Sequence, residues 1–235
     1  GAASQLDEVM AARLEGAQLV EPRRLYRPNE SFAKRPLAET RVIRFPGALE
    51  EEVEAIVYYP HDYETGRRYP LVLMTHGGPH GADYDRFYES WAGAPNLFAQ
   101  RGAFVLRVNY HGSSDYGLAW GESIKGRYYE LEIQDMFAGI KRLVEEGLVD
   151  ADRMGLVGWS NGAILSTAAI TLAHLYAPEY DWKFKTCAHG AGDVNWTSDY
   201  GNCAFGATFD EFYLGGAPWK LPDLYLKKSP LFHVE

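Results

Sequence analysis

The chain has 235 residues, 46% of them hydrophobic and 14% aromatic, and carries a formal net charge of −9 from 23 basic and 32 acidic side chains. This content excludes a disordered polypeptide, and the length suffices for one large domain with a sizeable core. The acidic balance, with no basic cluster to offset it, argues against a nucleic-acid partner. No apolar run approaches a membrane span, so no membrane role is expected. The first residues lack the charged-then-apolar pattern of a secretory leader, which favours the cytoplasm while the compartment stays open. Cys187 and Cys203 have no metal-type spacing and read as free thiols, and neither a metal nor a cofactor is expected.

In chain order, residues 1–40 are polar and irregular, with a short helix expected at Leu6–Leu14. Arg41–Phe45 and Val53–Tyr59 alternate and read as an antiparallel hairpin across Pro46-Gly47. Leu71–Thr75 and Phe104–Val108 are buried-type strands, with a helix expected over Trp91–Arg101, closed by Gly102. Ile133, Met136, Phe137, Ile140, Leu143 and Val144 recur at helical spacing and predict a helix over 130–146, ended by Gly147. A turn at Val149–Arg153 leads into the short strand Met154–Val157, and Ala163–Ala173 suits a buried helix. Phe184–Ala188 reads as one more strand. There is no internal repeat. Strands alternating with helices predict a mostly parallel sheet with helices on both faces, and ligands bind at the carboxyl ends of such strands.

Gly158-Trp159-Ser160-Asn161-Gly162 reads G-x-S-x-G with a strand before and a helix after, the setting of a nucleophile elbow. The glycines are needed because side chains two positions either side of the serine would collide with strand or helix. Ser160 is the candidate nucleophile; the plainer alternative is a serine capping a helix N-terminus. Upstream, Thr75-His76-Gly77-Gly78-Pro79-His80-Gly81 follows the first buried strand. Gly78 N–H and Asn161 N–H are the expected oxyanion donors. The Asn109–Gly117 loop follows the next strand, and His76, Tyr110, His111, Trp159 and Trp196 are pocket candidates. Asp135 reads as a structural ion-pair residue.

Taken together, His76-Gly77-Gly78-Pro79, Asn109-Tyr110 with Gly112-Ser113 and Tyr116-Gly117, Val149-Asp150 with Asp152-Arg153, the elbow, Asp193 with Trp196, and Phe212–Gly215 followed by Ser229-Pro230-Leu231 resemble the catalytic domain of prolyl oligopeptidase family serine peptidases, dipeptidyl- and acylaminoacyl-peptidases among them. The resemblance implies an α/β-hydrolase fold, an acyl-enzyme on Ser160, and hydrolysis of peptide bonds in short peptides, with an N-terminal β-propeller limiting access. It implies residues 1–40 as a remnant of such a propeller and 41–235 as a partial catalytic domain. Two positions depart from the pattern. Ala163 stands where a further glycine is usual, and His111 where Arg is common.

The triad order in this fold is Ser, then acid, then His. After Ser160 the histidines are His174, His189 and His233, and none is well placed to be the base, although Asp181 before His189 and Asp223 before His233 formally fit the order. Six strands are counted where the usual fold has about eight, the last two carrying acid and base. The expectation is a domain lacking its last strands, with acid and base beyond residue 235, inactive alone, and with an exposed sheet edge. The expected partners are a peptide substrate and that C-terminal segment, carried even as a second chain; the oligomeric state is open. A carboxylesterase on the same fold, or a non-enzymatic hydrolase-like module, are the competing functions.

Overall fold

The computed structural model describes residues 2–28, 30–32 and 34–234; Gly1, Asn29, Ala33 and Glu235 lie outside the described residues. Strands β1 (Val9–Glu15) and β2 (Gln18–Tyr26) form a separate antiparallel ribbon. The helix expected at Leu6–Leu14 is therefore a strand. Both faces of the ribbon are largely exposed, so it carries no one-sided apolar pattern, and the turn at Gly16, with φ +61°, was the only local signal.

The main sheet holds β3 (Thr40–Pro46), β4 (Glu52–Tyr58), β5 (Tyr69–Thr75), β6 (Phe104–Asn109), β7 (Val149–Trp159) and β8 (Phe184–Gly190), in the order β3-β4-β6-β5-β7-β8. The β3–β4 and β4–β6 pairs are antiparallel; β6, β5, β7 and β8 run parallel. β7 begins earlier than the sequence suggests. Val149 pairs with Tyr69, so the expected turn at Val149–Arg153 belongs to the strand. At the far edge β8 is mostly exposed.

Helix α1 (Pro95–Gln100) lies on one face. It is shorter than expected, because Pro95 has no N–H to continue a helix backward and fixes the first turn. Trp91 is thereby left outside it and exposed. After the one-turn α2 (Leu118–Glu122), α3 (Glu132–Glu145) and α4 (Asn161–Thr171) cover the opposite face. The i, i+3, i+4, i+7 positions of α3, Ile133, Met136, Phe137 and Ile140, are fully buried with Leu71, Leu73, Leu106 and Leu156 of the sheet. Each such side chain contributes about 1.5–3 kcal/mol relative to exposure. Gly147 ends the helix at φ +74°, donating to Val144 O as Leu148 N–H returns to Leu143 O. The short α5 (Ala173–Tyr176) continues from α4. Helices α6 (Trp196–Asn202), α7 (Gly206–Leu214) and α8 (Pro222–Lys228) gather beyond β8 around Trp196, which packs against Tyr128, Tyr129 and Phe209.

Candidate active site

The carboxyl ends of β5 and β7 lie side by side, with Thr75 paired to Gly158. Chain reversal from β7 into α4 occurs at Ser160, whose φ of 56° and ψ of −129° lie outside the ordinary regions for an L residue. Such a backbone costs of order 1–3 kcal/mol and persists only where its surroundings over-determine it. Here they do. Ser160 N–H donates to Gly190 O at 2.9 Å, and Ser160 O accepts from Ala163 N at 2.8 Å, starting α4. A Cβ on Gly158 would overlap Gly162 O, and one on Gly162 would overlap Thr75 O. The Ser160 side chain is exposed and has no hydrogen-bond partner among the described residues.

Gly77 comes closest from the β5 side, so that a Cβ there would lie 3.3 Å from Ser160 Cβ and 3.8 Å from its Oγ. The next residue, Gly78, has φ +129°, a conformation that the close approach of His80 N and Gly81 N closes to other residues. Neither Gly78 N–H nor Asn161 N–H has an acceptor among the described residues. Asn161 opens α4, so the positive end of that helix adjoins Ser160.

Behind the elbow the polar groups interlock. Tyr128 donates to Asn161 Oδ1, and Asn161 Nδ2 donates to the Tyr110 hydroxyl at 3.3 Å. Tyr110 in turn donates to His76 O at 2.8 Å and stacks on the His76 ring, centroids 4.3 Å apart. His76 donates from Nδ1 to Gly77 O at 2.9 Å, and its Nε2 is 3.0 Å from Ser113 Oγ. Burial holds the His76 pKa below the usual imidazole value, which keeps the ring neutral near pH 7. Ser114 N–H reaches Gly81 O at 2.9 Å. The 109–117 loop thus buttresses the glycine loop.

The candidates therefore separate. Ser160, Gly78, Asn161, His76 and Trp159 come together at the strand ends. Tyr110 is fully buried beneath them, a support and not a pocket wall. Trp196 is 1% exposed and donates to the Tyr129 hydroxyl at 3.0 Å, so it packs inside the helical cluster. His111 points away altogether. It stacks on Trp120, with centroids 3.8 Å apart, and bonds Asp135 through Nδ1 at 2.6 Å. Asp135 also accepts from His111 N and Ala48 N, the structural ion-pair role its position on α3 suggests. Asn109 braces the loop after β5, accepting from Asp83 N and donating to Asp83 O; Gly77 and Asn109 stand inside the sequence motifs quoted above, whereas Tyr128, which holds Asn161, stands outside them.

His111 yields a pH prediction. Burial lowers its pKa, but the hydrogen bond and charge of Asp135, aided by Glu51, outweigh this and raise it above 6.5. A raised folded-state value means stability that is complete below the unfolded pKa and lost as pH climbs through the folded one. The urea midpoint of the native chain is therefore expected to fall between pH 6 and pH 8 more than that of His111→Asn, and equal slopes would contradict it.

No histidine or carboxylate bonds Ser160 among the described residues. His189 Nδ1 meets Thr167 Oγ1 at 2.9 Å on the sheet edge, and His233 Nε2 meets Lys227 O at 3.0 Å. Cys187 and Cys203 are free.

A six-stranded, mostly parallel sheet, helices on both faces, and a serine on a strained strand-to-helix turn define an α/β-hydrolase fold. The model of the prolyl oligopeptidase family matches residues 90–235, and the chain belongs to that family. It is 28% identical over 170 residues to dipeptidyl-peptidase 5 of Porphyromonas endodontalis, covering 72% of this chain and 23% of the relative. It is 32% identical over 115 residues to the acylamino-acid-releasing enzyme of Sus scrofa, covering 49% of this chain and 15% of the relative. Among solved structures, Pyrococcus horikoshii acylaminoacyl peptidase superposes with a TM-score of 0.80 at 25% identity, covering 99% of this chain and 35% of its own. The matched segments thus span between a seventh and about a third of the length of these proteins.

Proposed function

We propose that this chain is the nucleophile-bearing part of a serine peptidase that hydrolyses short peptides through an acyl-enzyme on Ser160. The observation that carries the reading is Ser160 itself: exposed, held at φ 56° between β7 and α4, and close to Gly77, with the N–H groups of Gly78 and Asn161 lacking an acceptor among the described residues. Attack of Ser160 Oγ on the scissile carbonyl, its proton passing to the base, turns the carbonyl oxygen into an oxyanion, and collapse to the acyl-enzyme breaks the C–N bond as the amine leaves with that proton. Gly78 N–H and Asn161 N–H take that charge, each such donor being worth about 3–4 kcal/mol in the transition state. The relatives are a dipeptidyl-peptidase and acylaminoacyl-releasing enzymes, which supports a peptide substrate.

On this reading the acid and base lie beyond residue 235, and the β1–β2 ribbon belongs to a propeller element preceding the catalytic domain. A serine without its base is a weak nucleophile. A fluorophosphonate probe is therefore expected to leave the 235-residue chain unlabelled and to label Ser160 once the C-terminal continuation is present. Labelling of the 235 residues alone would overturn the placement of acid and base. No labelling of the longer polypeptide would overturn the peptidase reading. Cleavage of an aminoacyl-naphthylamide in preference to a p-nitrophenyl ester separates peptidase from esterase.

A further inference from the structure

On the α1 face of the sheet, beside the elbow, a cavity of about 270 Å³ opens between the ends of β5 and β7 and the loop that follows β5. Gly158 and Trp159 wall it on the elbow side; Arg107 of β6 and Asp83 of the loop also line it. Strand alternation places Arg107 here, because it shares a face with Val105, which packs toward α1, while Leu106 and Val108 face α3. Arg107 is 6% exposed and Asp83 5%, and the two form an ion pair. Tyr88 lies against the guanidinium at 4.5 Å. Asn109 fixes Asp83 by accepting its N–H at 2.7 Å and donating to its carbonyl at 2.9 Å.

This pair is only half used. Arg107 gives Nη2–H to Asp83, but its Nε–H has no acceptor, and Asp83 Oδ2 has no partner among the described residues. A purely structural buried pair is sustained by satisfying its remaining groups, and each unmet one costs about 1–3 kcal/mol. A guanidinium presents a planar fork suited to two carboxylate oxygens. The other charged residue lining the cavity is Arg86, so two cations stand against one carboxylate.

We propose that this cavity binds the free α-carboxylate at the end of the substrate's leaving group, with Arg107 as its partner. The inference rests on the peptidase reading of Ser160. In a short peptide the only main-chain carboxylate ends the leaving group, so a carboxylate site beside the elbow reads that side of the scissile bond. Arg107 sits two strands from β7, roughly 10 Å away. A residue spans about 3.3–3.6 Å, so a leaving group of about three residues covers the distance. Trp159, with Trp91 edge-on at 4.4 Å, offers an apolar wall to the side chains between.

The test is an NMR titration of the 235-residue chain with the dipeptide Ala-Ala and with its C-terminal amide, following the Arg107 Nε–H resonance and the Trp159 indole. Ala-Ala is expected to bind about tenfold more tightly than the amide, the discrimination a charged hydrogen bond supplies. Arg107→Gln should lose that preference, and Asp83→Asn, which keeps the guanidinium, should retain it. Equal affinities in the native chain, a preference that survives Arg107→Gln, or its loss in a folded Asp83→Asn chain would overturn the proposal. Probe labelling of Ser160 in the longer polypeptide is read separately. A carboxylate preference without labelling would overturn the leaving-group role while leaving the Arg107 contact standing.

Discussion

Replacing Ser160 with alanine, in a polypeptide that includes the C-terminal continuation, is expected to lower kcat for a short peptide by about five to six orders of magnitude while KM changes little. The magnitude follows from what the hydroxyl does. On the proposed mechanism no acyl-enzyme forms without it, and only the oxyanion donors and substrate binding would remain, which leave a small residual rate over water. The near-constant KM follows from the geometry, because the Oγ is exposed and makes no hydrogen bond that holds the loop or α4. The backbone bonds that fix the turn, Ser160 N–H to Gly190 O and Ala163 N–H to Ser160 O, survive the substitution. Steady-state kinetics with an aminoacyl-naphthylamide check both halves. Retention of more than about one hundredth of the native kcat would remove Ser160 from the nucleophile's role.

Much of this arrangement was legible in the sequence for a physical reason: the constraints at the elbow are steric and local. Gly158, Gly162, Gly77 and Gly78 stand where backbones or Ser160 approach closely, and such demands leave fixed residue types at fixed spacing. The sheet was legible because β5, β6 and the core of β7 are buried enough to read as apolar runs. What escaped lacked that signature. β1 and β2 are exposed on both sides, so no periodicity distinguishes them from coil. Tyr110, His111 and Trp196 are aromatic residues near a site in sequence, but residue type does not say which way a side chain points. His111 follows the end of β6 and turns inward to Asp135, and Trp196 turns into the helical cluster. Arg107 was the missed clue. A lone cation inside Phe104-Val105-Leu106-Arg107-Val108 must find a counter-charge or a polar cavity, and the structure supplies both, as Asp83 and the space beside Trp159.

The same close packing predicts that Gly162→Ala destabilises the chain by more than about 4 kcal/mol, at the upper end of what a single substitution does. A Cβ on Gly162 would overlap Thr75 O and lie 2.8 Å from both Thr75 C and His76 O. These are backbone atoms, so no rotamer change relieves the contact. Thr75 cannot withdraw, since it is laddered to Gly158 of β7, and Gly158 itself has no room beside Gly162 O. Relief would require α4 to lift from β5, exposing Ala163, Ile164 and Leu165, which are at most 5% exposed. Domains of this kind hold about 5–15 kcal/mol in total, so the variant should show a markedly lower urea midpoint or fail to accumulate in soluble form. Ala163→Gly is the matched control one position along. It removes a methyl from a buried helical site without adding a clash, and should cost about 1 kcal/mol. A Gly162→Ala chain melting within that 1 kcal/mol would mean that α4 does not approach β5 this closely, and the strained turn at Ser160 would lose its cause.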